Sequence, residues 1–213
     1  MNAINYLKLD FRIMRDTIRY LALIPAIFIM FSLKSTSLMG LGYLFFFLMI
    51  VAATPFSVES NEKCDRMYYM FPSKLSSMVL GRYLYLISTI AIVWIIDGIT
   101  MLYLYNIKSI SMLEVGIICL TGSLASIACL FQYPIYYKLG MEKGRILSGF
   151  LYMVPAFIVF SLPSIIKDSC FLTPFVTSIG NKMFFLLIGV LITIVSGIIS
   201  YLISCSVCEK KEF

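Results

Sequence analysis

The 213-residue sequence contains no histidine, and only 13% of its residues are charged. Without histidine there is no HExxH zinc site, and no imidazole to activate a serine or cysteine nucleophile. No G-x-x-x-x-G-K-[ST] segment occurs, so no P-loop cradles nucleotide phosphates in this chain. Asp97 is the one acidic residue deep within an apolar run, which leaves no carboxylate pair for aspartyl proteolysis. Of the six cysteines, Cys119 and Cys129 lie in an apolar run, where cysteine behaves as a small hydrophobe. Cys205 and Cys208 have CxxC spacing but no second ligand pair, and a structural zinc takes about four ligands. The chain is therefore expected to be no enzyme, and to hold no metal or cofactor of its own.

What is abundant is apolar surface. Hydrophobic residues make up 61% of the chain, whereas soluble domains carry about a quarter charged residues. About 20 apolar residues of helix cross the hydrocarbon core of a bilayer. Six runs approach or reach that length, approximately 20–33, 38–55, 80–105, 115–137, 146–166 and 183–204. The expected fold class is an all-α integral membrane protein with six transmembrane helices. The first run is short; it follows four basic residues, and no small-residue cleavage site comes after it, so it reads as a retained span.

Residues 1–19 form an expected amphipathic helix. Ile4, Leu7, Phe11, Met14 and Ile18 share one face at helical spacing, beside a basic stripe of Lys8, Arg12, Arg15 and Arg19. Such a helix suits the membrane interface, or alternatively packs on a partner. The transmembrane domain is expected over 20–205, with a cytoplasmic loop at 56–78 and a cytoplasmic tail at 206–213. The net charge of +6 implies no nucleic acid, because the basic residues sit between apolar runs, where they set topology. With the N-terminus inside, thirteen Lys and Arg fall on the cytoplasmic side and only Lys34, Lys108, Lys167 and Lys182 outside. The positive-inside rule then places both termini in the cytoplasm.

The loop at 56–78 carries the most information. Ser57 is expected to cap a helix over 58–70, with Glu59 and Glu62 in its early turns, where negative charge suits the helix dipole. Lys63, Asp65 and Arg66 continue a polar face, Met67 to Phe71 are large and include Tyr68 and Tyr69, and Pro72 ends the helix. A mixed-charge helix with an aromatic end fits a protein partner or the membrane surface.

From Glu59 through Asn61-Glu62-Lys63, Tyr68 and Phe71-Pro72-Ser73-Lys74 to Val79-Leu80-Gly81-Arg82-Tyr83-Leu84, this stretch resembles ABC type-2 permeases. These are small six-span subunits that pair with a separate ATPase. A second match runs from Pro134 through Tyr137-Lys138-Leu139-Gly140 to Lys143-Gly144-Arg145. Phe71 stands where leucine is common, and the basic residues after the proline turn reduce to Lys74.

The resemblance implies that 58–70 is a coupling helix. Glu59, Glu62, Asp65, Arg66, Tyr68 and Tyr69 would then face the ATPase, with Lys143 and Arg145 as further contacts. ATP and magnesium would be held by the partner. It also implies two permease copies with two ATPase subunits, and a bacterial cell membrane as the location. The subfamily includes exporters of phenol-soluble modulins, which are amphipathic helical peptides. Peptide export is thus the expected activity. Export of lipids or drugs, or a non-transporting immunity or sensor protein that binds peptides, are the alternatives.

Within the spans, Asp97 marks a substrate pathway or subunit interface, since an intramembrane carboxylate is costly; the alternative is a place near the outer interface. Gln132, with Thr121, Ser123 and Ser126, gives the fourth span a polar stripe that serves either helix packing or the pathway.

Overall fold

The computed structural model describes residues 3–13, 23–35, 38–59, 75–107, 112–168 and 182–211. Among the described residues there is no strand, and only Ile107 lies outside a helix. In hydrocarbon every backbone N–H and C=O needs an internal partner, which helices supply. The elements are α1 (Ala3–Ile13), α2 (Leu23–Ser35), α3 (Leu38–Glu59), α4 (Leu75–Asn106), α5 (Met112–Asp168) and α6 (Lys182–Lys211).

α5 is two helices in one. Gly140 has φ 78° and ψ 178°, a backbone conformation that suits glycine because it has no Cβ. Contacts across this point pair Tyr136 with Ser148 and Gln132 with Tyr152. The pairs step symmetrically away from the break, so the limbs 112–139 and 141–168 run antiparallel as a hairpin. Gly144 makes the close approach possible: a Cβ there would collide with the Tyr136 ring.

Three described stretches are long and apolar enough to cross a membrane: Ser76–Asn106, Ile118–Val154 and Gly189–Lys210. The second contains the Gly140 reversal, so it is the inner part of a hairpin and not one straight span. α2 has only 13 residues, about 20 Å of helix.

Helix directions alternate. Phe45, Met49 and Phe56 of α3 meet Trp94 and Arg82 of α4 in reverse order, and meet Gln132 and Tyr133 of α5 in the same order. α6 runs parallel to the first limb of α5, with Gly189 beside Ser123 and Ser200 bonded to Leu130. α2 packs on α3, with Ile24 against the cluster of Phe47, Val51 and Tyr85 and Ile29 against the cluster that holds Leu44, Phe45 and Leu48. This up-and-down order is what the hydrophobic runs predict.

Two boundaries differ from the sequence reading. α4 begins at Leu75, earlier than residue 80. α3 continues through Pro55 to Glu59, so Ser57 lies inside it and does not cap a new helix. The reason is local. Pro55 has no N–H for the carbonyl of Val51, and that carbonyl instead accepts from the Thr54 hydroxyl at 2.6 Å and from Tyr85 at 3.5 Å.

α1 packs along the first turns of α4. Tyr6 and Asp10 are buried there, with Tyr6 near Met78. Phe11 makes an edge contact with Tyr85 at 5.2 Å. Ile4 remains exposed.

The core has two main parts. One surrounds Leu44, Phe45, Leu48, Met101 and Ile118, toward the 106–112 end. The other surrounds Phe56, Tyr83, Tyr133, Tyr136 and Tyr137, toward the Gly140 end. Exposed apolar side chains such as Ile95, Ile99, Ile194 and Leu202 cover the outside.

Candidate functional site

Arg82 stands near the start of α4, two turns into the helix, and is 1% exposed. Burying a charge is costly unless something compensates it. Its guanidinium lies 5.0 Å from the Phe56 ring centre and 5.7 Å from that of Tyr137, and a desolvated cation–π contact contributes about 2 kcal/mol. Phe56 in turn meets Tyr133, Tyr136 and Tyr137 at 5.0, 5.0 and 5.1 Å. Tyr133 also contacts Tyr83 at 5.2 Å. The Phe56–Tyr136 pair is tilted and the others are edge-to-face, a geometry that adds roughly 0.5–1.5 kcal/mol per pair beyond area burial.

Tyr83 extends the cluster to α6. Its hydroxyl lies 2.6 Å from Ser200 Oγ and 2.8 Å from Ser204 Oγ. Ser200 donates its own proton to the Leu130 carbonyl at 2.6 Å, so Tyr83 donates to Ser200 and accepts from Ser204. One phenol thus ties α4 to α6, and Ser200 ties α6 to α5.

Gln132 closes the α5 hairpin. Its amide donates to Tyr136 at 2.5 Å and to the Met49 carbonyl at 3.4 Å, and its oxygen accepts from Tyr152 at 3.4 Å. Ser148 donates to the Arg145 carbonyl at 3.0 Å, which leaves its oxygen to accept from Tyr136 at 3.1 Å. Every polar group of the Gln132 side chain is engaged within the bundle.

Asp97 differs. It is 0% exposed, and neither carboxylate oxygen has a hydrogen-bond partner. Its electrostatic neighbour is Cys119 of α5. Cys119 and Gln132 are separated by about 20 Å along one helix axis, so Asp97 and Gln132 do not form one site.

The packing reading of the small residues is met in the fourth span. Trp94 Nε1 donates to Ser126 Oγ at 3.0 Å, and Ser126 donates to the Gly122 carbonyl at 2.7 Å. A Cβ at Gly122 would collide with Phe45 and lie 2.9 Å from Trp94.

Of the residues expected to face an ATPase, Lys143 and Arg145 are exposed beside the Gly140 reversal. Glu59 ends α3. Glu62, Asp65, Arg66, Tyr68 and Tyr69 lie outside the described residues. Among the described side chains, the exposed basic ones are Lys8, Arg12, Lys138, Lys143, Arg145 and Lys210. All belong to the half of the bundle that holds the reversal. Among the described residues no cluster of His, Cys, Asp or Glu is placed to hold a metal ion.

Two residues of the cluster carry no mark of their role in the sequence. Arg82 is a charge near the start of an apolar run, framed by Val79 and Leu80 before it and Tyr83 to Leu86 after it, and nothing in the sequence marks the bridge of Tyr83 to α6.

An alternating bundle of apolar helices, with the described exposed basic side chains at one end, is that of a multi-pass membrane protein. A family model described as ABC-2 family transporter protein matches residues 5–209. The chain belongs to that family and is a membrane subunit of an ABC transporter, a class of component that works with an ABC ATPase. No curated protein and no solved structure matches it.

Proposed function

We propose that this chain is the six-span permease of an exporter, driven by a separate ATPase and moving amphipathic peptides outward. Two copies face each other, each docked to one ATPase subunit, in a bacterial cell membrane with both termini in the cytoplasm. The family membership supports the permease role. The observation that supports the rest is that all exposed basic side chains among the described residues lie in the half of the bundle with the α5 reversal, the distribution expected of a cytoplasmic face. The end of α3 at Glu59 and the start of α4 at Leu75, which flank the mixed-charge segment in the sequence, lie at the same end of the bundle as Lys143 and Arg145. That side docks the ATPase. Asp97 belongs to the pathway: it is enclosed by the chain's own helices, and a cationic group of the cargo is the partner its oxygens lack.

The test is reconstitution of the permease with its ATPase in liposomes. Phenol-soluble-modulin-type peptides should raise ATP hydrolysis and accumulate on the far side of the membrane, and a lipid or drug probe should do neither. Peptide transport by the permease alone, or peptide binding without any nucleotide-dependent movement, would overturn the reading.

A further inference from the structure

We infer that the Arg82 aromatic cluster is the joint through which the cytoplasmic loop moves α5 and α6. This rests on the reading of 56–78 as the ATPase-facing loop. Phe56 lies in the last turn of α3 and Arg82 two turns into α4, on either side of the cytoplasmic segment in sequence, and the two side chains stack on each other at 5.0 Å. A pull on the loop therefore acts on both halves of one cation–π pair.

The pair is connected outward in two directions. Phe56 touches three tyrosines on consecutive turns of α5, Tyr133, Tyr136 and Tyr137. Tyr136 continues through Ser148 into the second limb of the hairpin. Tyr83, next to Arg82, bonds Ser200 and Ser204 of α6. Close-packed cores switch between discrete arrangements and do not deform continuously, and a contiguous packed network is a physical route for coupling. A leucine at position 82 would fill space without the cost of burying a charge. The guanidinium instead holds ring faces from two different helices, α3 and α5, by an attraction that tolerates small sliding. Arg82, Phe56 and Tyr83 are thus positioning residues for transmission and touch no cargo.

Hydrogen exchange on the permease–ATPase complex in nanodiscs, with and without a non-hydrolysable ATP analogue, tests this. In the native complex the analogue should change exchange within 57–74, within 138–145 and within 200–208. In Phe56→Leu and Arg82→Gln the change within 57–74 should persist, while the changes at the other two segments fall about tenfold. Phe56→Tyr, which keeps the ring, should restore them. Changes of native size at 138–145 and 200–208 in both variants would overturn the inference. So would exchange that rises equally in both nucleotide states, the mark of simple loosening. No nucleotide-dependent change at 57–74 in the native complex would instead sink the functional reading on which the inference rests.

Discussion

Asp97 and Arg82 are both enclosed in the bundle, yet their surroundings differ in kind. Arg82 lies on aromatic faces, whereas the two oxygens of Asp97 have no hydrogen-bond partner. A buried carboxylate with no hydrogen-bond partner carries a desolvation cost that nothing offsets, and replacing it by an apolar residue removes that cost. Asp97→Leu should therefore insert normally and unfold at the same or a higher temperature, while peptide export falls. A drop in thermal stability with unchanged export would make Asp97 a structural residue. Gln132 gives the opposite case. Its amide bonds three groups across α3 and both limbs of α5, so it acts as a clasp for the hairpin.

At the scale of elements, two glycines show how differently the same residue can matter. Gly122 is helical, and the space beside it is filled by Phe45 of α3 and Trp94 of α4. Adding a methyl there forces two helices apart, and overpacking of this sort costs roughly 1–3 kcal/mol. Gly140 has open space around it but a left-handed backbone. Alanine there meets no atom, and its cost is conformational, about 1–3 kcal/mol for a φ and ψ open essentially to glycine alone. Thermal unfolding in detergent should come earlier in both Gly122→Ala and Gly140→Ala. A compensating Phe45→Leu should recover part of the first loss and none of the second. Equal recovery in both would mean that the helix contacts at Gly122 are not what limits stability. The hairpin itself was legible in part, since Gly140 and Gly144 stand in the break between two apolar runs. The extension of α3 past Pro55 was not, because the hydroxyl of Tyr85, which helps to satisfy the freed Val51 carbonyl, comes from another helix.

Across the whole molecule, what could be read from sequence is what depends on one segment at a time. Each apolar run marked a helix, and the alternation of directions followed from connecting them. The place of Asp97 between Ile96 and Gly98 puts it in an apolar run, but not on one side of the helix or the other. What could not be read depends on which helices meet. Arg82 and Asp10 carry charges that look solvated in a linear view. Only the arrival of Phe56, Tyr137 and α4 itself shows that both are enclosed. The same reasoning leads to a test of the whole topology. In the proposed six-span topology thirteen Lys and Arg lie on one side against four on the other, the bias expected when the first side is cytoplasmic. Alkaline phosphatase, active only outside, joined after residues 34, 107 or 175 should be active, and joined after 66, 143 or 211 inactive. The fusion after 143 is the discriminating one, because it ends between the limbs of α5. If it is active, the first limb of α5 does not bring the chain back to the cytoplasm, the basic cluster at Lys143 and Arg145 faces outward, and no cytoplasmic ATPase can dock there.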